Sequence, residues 1–145
     1  MNLAAGDFVL PVDKPVGPTS HDVVAAARRA LGTRRVGHTG TLDPFATGLL
    51  VLCIGRATRL AEYLSGMSKT YHATARLGVT TDTLDRAGSL MVERDASSVD
   101  EAAIRQVLAE LVGAIQQVPP QFSAKKVDGE AMYRRARRGE HVELP

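Results

Sequence analysis

With 145 residues, 44% of them hydrophobic and 4% aromatic, the chain can build one compact domain around a mostly aliphatic core and is too short for two comfortable ones. A single cysteine, Cys53, excludes a disulfide framework within the chain, and no apolar run approaches a membrane span, so a soluble cytoplasmic protein without a secretory leader is expected. The formal charge of +2 is unevenly spread: Arg28, Arg29, Arg34 and Arg35 form one basic group, and Lys125, Lys126, Arg134, Arg135, Arg137 and Arg138 crowd a second against Asp128 and Glu130, a pattern shared by polyanion-binding surfaces and solvated helix faces.

In chain order, Phe8-Val9-Leu10-Pro11-Val12 reads as a short strand. It runs into Asp13-Lys14-Pro15-Val16-Gly17-Pro18-Thr19-Ser20, where prolines and a glycine forbid regular structure. Ser20 is the expected N-cap of a helix reaching about Leu31, with Asp22 in its first turn, Arg28 and Arg29 in its last, and Gly32 as a left-handed stop. A glycine-rich loop follows, then a strand over Leu49 to Ile54 in which Cys53 is a small buried hydrophobe. Arg56 to Leu64 carries helical spacing. Lys69 to Leu77 alternates Tyr71, Ala73, Ala75 and Leu77 against polar residues, as a strand with one buried face does. Thr80 to Gly88 is a polar loop, Leu90 to Val92 a short strand, and Val99 to Leu111 an amphipathic helix with Ile104, Val107, Leu108 and Leu111 on its apolar face. Val118-Pro119-Pro120 breaks the pattern ahead of the basic segment. This order indicates α/β or α+β architecture, without internal repeats.

The informative stretch is Gly37-His38-Thr39-Gly40-Thr41-Leu42-Asp43-Pro44-Phe45-Ala46-Thr47-Gly48. It holds one carboxylate among small and apolar neighbours, and the proline after Asp43 pushes that residue toward extended backbone. Nucleotide-binding loops of the GxxxxGK[ST] and GxGxxG types are absent, and His21, His38, His72, His141 and Cys53 show no zinc-ligand spacing. Thr39-Gly40-Thr41 is not the loop of aspartyl-phosphate enzymes, because Gly37 stands where the nucleophilic aspartate would be. Gly37-His38-Thr39-Gly40 fits the GXXG clamp of KH modules, a four-residue match that arises often by chance. Asp43 therefore stands as a candidate nucleophile or base, with Tyr71, His38 and Lys14 as candidate helpers. Tyr71 offers a face on which a flat substrate stacks and a hydroxyl that holds or moves a proton. The plainer alternatives are a loop acid capping its own turn, a core-packing tyrosine, a backbone-bonded turn histidine and a solvated lysine.

Asp13 to His21, Arg35 to Gly48 and Ser68-Lys69-Thr70-Tyr71 resemble, in order and spacing, the first motifs of TruB-type tRNA pseudouridine synthases. Val118 to Lys126 and Tyr133 to Gly139 resemble the RNA-gripping thumb of that family. The resemblance implies an α+β fold with a mixed, mainly antiparallel sheet and flanking helices. It implies isomerisation of uridine 55 in the T-loop of tRNA to pseudouridine, with no cofactor, metal or protein partner required. A loop nucleotide costs less to extrude than one in a duplex, which suits an enzyme that must reach a base. By resemblance Asp43 is the catalytic residue, acting either covalently or by taking the ribose 2′-proton. Tyr71 stacks on the flipped base, His38 fills the space it vacates, Lys14 and Pro15 support the catalytic loop, and Asp85 lies near the RNA. Lys125, Lys126, Arg134, Arg135, Arg137 and Arg138 would grip the tRNA. The other reading is a non-catalytic RNA-binding module or tRNA folding helper.

Family members continue with a Gly-Thr-Tyr-Ile-Arg-like motif, whose arginine pairs with the catalytic aspartate, and with a small RNA-binding tail domain. Neither is matched here. The expectation is that residues 1–145 form the N-terminal part of the catalytic domain, with residues 118–145 as the thumb. Alone, they would be inactive.

Overall fold

The computed structural model describes residues 6–118, 126–127, 129–132, 135 and 138–140. The chain divides at His72/Ala73 into two units.

In the first unit, strand β1 (Phe8–Lys14) alternates half-buried and exposed residues, so Phe8, Leu10, Val12 and Lys14 share the inward face. Helix α1 (Ser20–Leu31), β2 (Val36–His38) and β3 (Gly48–Ile54) follow. The three strands form an antiparallel sheet in the order β1-β3-β2, with β1 paired to β3 from Phe8↔Ile54 to Lys14↔Gly48 and β2 to β3 from Val36↔Ile54 to His38↔Leu52. Central β3 is the most apolar strand and is buried at Leu50, Leu52, Cys53 and Ile54. Pro11 lies in β1, at the sheet edge, where its missing N–H costs no ladder bond on the open side. Val24 of α1 joins Val36, Leu50, Leu52 and Ile54 in the core, with Leu42 of the glycine-rich loop packed against them. A 3₁₀ turn (Gly55–Leu60) and the short α2 (Ala61–Ser65) complete this unit, in place of the single helix expected over Arg56 to Leu64.

The cap of α1 lies one residue earlier than expected. Thr19 is the N-cap: its hydroxyl oxygen accepts from the Asp22 amide at 3.1 Å, and the Asp22 carboxylate accepts from the Thr19 amide at 2.8 Å. This reciprocal box satisfies two otherwise orphaned donors, and the Thr19 hydroxyl, donating to the Asp22 carboxylate at 2.6 Å, together with the Thr19 amide lowers the pKa of that carboxyl. Gly32 closes the helix at φ +62, the left-handed stop the sequence indicates. Ser20 becomes the first helical residue and its hydroxyl turns elsewhere.

The second unit contains the hairpin β4 (Val79–Thr81) and β5 (Leu90–Glu93), helix α3 (Glu101–Glu110) and the two-residue strands β6 (Lys126–Val127) and β7 (Glu130–Ala131). Two expectations are corrected. Residues 69–76 form no strand and all are exposed. Alternating side chains make a strand only where a neighbour supplies ladder hydrogen bonds, and among the described residues none pairs with this segment. The apolar stripe of α3 is present but uncovered: Val107, Leu108 and Leu111 are each more than half exposed. Periodicity encodes a face; it does not supply the surface that buries it. The mixed α+β architecture with antiparallel sheets agrees with the fold class expected.

Candidate active site

Asp43 sits at the first position of a four-residue turn closed by the Ala46 amide donating to the Asp43 carbonyl at 3.0 Å. Proline at the second position has the φ such a turn needs. An aspartate here commonly folds its own carboxylate back onto the turn's amides. This one does not. Among the described residues the Asp43 carboxylate has no hydrogen-bond or ion-pair partner, and the residue is exposed. The backbone closes the turn while the acid faces outward.

The loop around it is held from segment 14–20. Lys14 ends β1 on the inward face and is completely buried. Its ammonium donates to the carbonyls of Pro15 at 2.9 Å and Ala46 at 2.8 Å, and more loosely to Pro44 at 3.5 Å. The Gly17 amide also donates to the Pro44 carbonyl, at 2.8 Å. No carboxylate meets Lys14 among the described residues, so carbonyl dipoles carry the burden of its charge. Lys14 is thus buried rather than a solvated loop charge, and Pro15 enters through its backbone oxygen.

On the other side of the acid, the Ser20 hydroxyl accepts from the Leu42 amide at 2.9 Å and donates to the Leu42 carbonyl at 3.0 Å. Sequence reasoning missed this contact by giving Ser20 the capping role. The Thr-x-x-Asp spacing of Thr19 and Asp22 was the available signal that Ser20 was free for other work. Upstream, buried Thr39 donates its amide to the Val51 carbonyl at 3.1 Å. Gly48, at φ +118, ends the loop in a conformation L-residues rarely adopt.

His38 ends β2, pairing with Leu52. Its Nδ1 is buried without a partner among the described residues, and its ring meets that of His21 edge-on at 5.7 Å between centroids. Tyr71 is 67% exposed, so it does not pack on the core. Its segment approaches the glycine-rich loop through Lys69, whose Cε lies 3.7 Å from where a Cβ on Gly40 would stand. Lys69 itself donates to the carbonyls of Ser65 at 2.7 Å and Met67 at 3.0 Å, pinning the approach to residues 70–71. Tyr71 and Asp43 therefore belong to the same unit, on segments that touch at Gly40, with no hydrogen bond between them.

The remaining candidates lie in the second unit. The Asp85 carboxylate accepts from the Thr83 hydroxyl at 2.7 Å and the Ala87 amide at 2.8 Å, and so holds its own loop, where Leu84 takes φ +60. Arg138 makes a two-pronged pair with Glu130, at 2.6 and 2.9 Å, and a further bond to Glu140 at 2.8 Å. Arg135 donates to Glu140 at 3.0 Å. Arg138 beside Glu130 and Glu140 holds both carboxyls below the usual carboxylate range. Lys125, Arg134, Arg137 and the side chain of Lys126 lie outside the described residues. In the first basic group, Arg28 donates to the Val36 carbonyl at 2.9 Å, tying α1 to β2. No cluster of three or more potential metal ligands occurs among the described residues, and no described helix is long and apolar enough to cross a membrane.

Comparison with known proteins places these features in a wider set. Residues 28–145 match the family model described as TruB family pseudouridylate synthase, N-terminal domain. The tRNA pseudouridine synthase B of Thermobifida fusca (strain YX) is 59% identical over 138 residues, covering 95% of this chain and 47% of that protein. The protein of the same name from Arthrobacter sp. (strain FB24) is 58% identical over 133 residues, 92% of this chain and 44% of that protein. That from Symbiobacterium thermophilum is 52% identical over 137 residues, 94% of this chain and 46% of that protein. The chain spans about half the length of the curated relatives it matches.

Proposed function

Because the chain belongs to the TruB family of pseudouridylate synthases, matching its N-terminal domain, we propose that it supplies the catalytic aspartate of a cytoplasmic tRNA pseudouridine synthase acting on uridine 55 of the T-arm. The observation that carries this reading is the exposed carboxylate of Asp43, without a partner among the described residues, on a loop held on both sides.

The chemistry is an isomerisation and balances without a co-reactant. The N1–C1′ bond of uridine breaks, the uracil turns, C5 bonds to C1′, the C5 proton leaves to solvent and N1 gains one. Asp43 serves either by attacking the nucleoside covalently or by taking the ribose 2′-proton. Both roles require a carboxylate that is ionised, reachable and free of competing bonds. Exposed Tyr71 supplies a face for the extruded base. His38 fills the space left by the extruded nucleotide, a role supported by a ring nitrogen that has no partner among the described residues. Arg135 and Arg138 are pre-aligned by Glu130 and Glu140, and phosphates of the T-arm exchange with those carboxylates.

The test is release of tritium from tRNA labelled at uridine C5. A synthase containing residues 1–145 is expected to release label stoichiometrically with pseudouridine at position 55. Release from another position, or salt-sensitive tRNA binding without any release, would replace the enzymatic reading with that of an RNA-binding module.

A further inference from the structure

We infer that Ser20 is a positioning residue for the Asp43 carboxylate, acting through the backbone of Leu42. The inference rests on the assignment of Asp43 as the catalytic acid. Ser20 is 2% exposed, so its hydroxyl exchanges no bond with solvent. It closes a two-bond ring onto one residue, accepting from the Leu42 amide at 2.9 Å and donating to the Leu42 carbonyl at 3.0 Å. That carbonyl belongs to the peptide unit that also contains the Asp43 nitrogen, so the bond fixes the plane from which the Asp43 side chain departs.

The other holds on this turn act after the acid: Lys14 on the carbonyls of residues 44 and 46, and Gly17 on that of Pro44. Ser20 holds the residue immediately before the acid. The Leu42 side chain packs on the core beneath, which limits translation of the loop. Rotation of the 42–43 peptide is what the hydroxyl prevents. Because Ser20 opens α1, just after the N-cap Thr19, its own backbone is fixed by the helix. The aim of the carboxylate is thereby referred to the helix axis.

A misaimed nucleophile or base loses rate while leaving distant RNA contacts intact, and losses of tenfold to a hundredfold are typical of small displacements. The test compares Ser20→Thr with Ser20→Val in the complete synthase, two side chains of similar shape that differ in the hydroxyl. Ser20→Thr is expected to keep kcat within about threefold of the parent. Ser20→Val is expected to lower kcat by at least about tenfold, with KM and Kd for tRNA within about twofold. If the added methyl unfolds both variants, Ser20→Ala, measured in single turnover per folded enzyme, is expected to show the same kcat loss. Equal kcat for the Thr and Val variants, or an Ala variant with parental rate, would overturn the inference. Asp43→Asn is assayed in parallel. If that variant keeps parental activity, the assignment of Asp43 has failed, whereas an inactive Asp43→Asn beside a fully active Ser20→Val refutes the positioning role alone.

Discussion

Asp43→Asn in the complete synthase is expected to abolish pseudouridine formation, a loss on the order of 10⁴-fold or more in kcat, while tRNA affinity stays within about threefold. Asparagine keeps the size and shape of the side chain, and the turn is closed by the Asp43 backbone oxygen alone. The carboxylate makes no bond within the described residues that the amide would break, so the substitution removes charge and nucleophilicity and little else. Unfolding by urea should place parent and variant within about 0.5 kcal/mol of each other, as surface substitutions usually are. A large loss of stability would mean that the acid has a structural partner after all. Retained turnover would remove it from the chemistry.

Lys14→Met is expected to produce the opposite profile. The methionine fills the apolar part of the space but takes from the carbonyls of Pro15 and Ala46 a donor they meet in partly buried bonds. Unsatisfied buried acceptors cost about 1–3 kcal/mol each, partly offset because the ammonium no longer has to be desolvated. The net expectation is a stability loss of about 2–4 kcal/mol by urea unfolding, and a fall in kcat of at least about tenfold as the Asp43 turn loosens. Hydrogen exchange at the Gly17 and Ala46 amides should accelerate in the variant, since both bonds report on the same turn. Unchanged stability with unchanged exchange would contradict the account of the buried lysine. Lys14→Arg should not rescue, because a rigid planar fork does not fit a completely enclosed site shaped for an ammonium.

These contrasting profiles bear on what the sequence disclosed. The period of two along Phe8, Leu10 and Val12 already placed Lys14 on the inward face, yet the prolines after it drew the reading toward an irregular, solvated segment. The strand in fact runs to Lys14, because pairing with Gly48 on β3 extends it beyond the apolar run. Asp43 was legible because its loop is a long, specific motif. Its geometry was not, since nothing in the one-dimensional pattern says whether an aspartate before proline turns its carboxylate inward or outward. Ser20 was misassigned for a local reason: two adjacent hydroxyl residues compete for one cap, and only the Asp22 partner three residues on from Thr19 decides between them. Tyr71 and the stripe of α3 show the remaining gap. Their spacing is correct for a strand and for an amphipathic helix, but burial is a property of a partner surface, and no described element covers them. Arg135 and Arg138 were found as charges, whereas their engagement by Glu130 and Glu140 is a matter of which residues the fold brings within reach.

The most direct test of the central claim is the distance from Asp43 to the nucleoside in a structure of the complete synthase bound to a T-arm stem-loop carrying a poorly reactive uridine analogue. One Asp43 carboxylate oxygen is expected within about 3.5 Å of C1′ or of the 2′-hydroxyl, the range of a reactive arrangement, with the base lying on the Tyr71 ring. An extruded nucleoside seated elsewhere, with Asp43 still facing solvent, would contradict that claim.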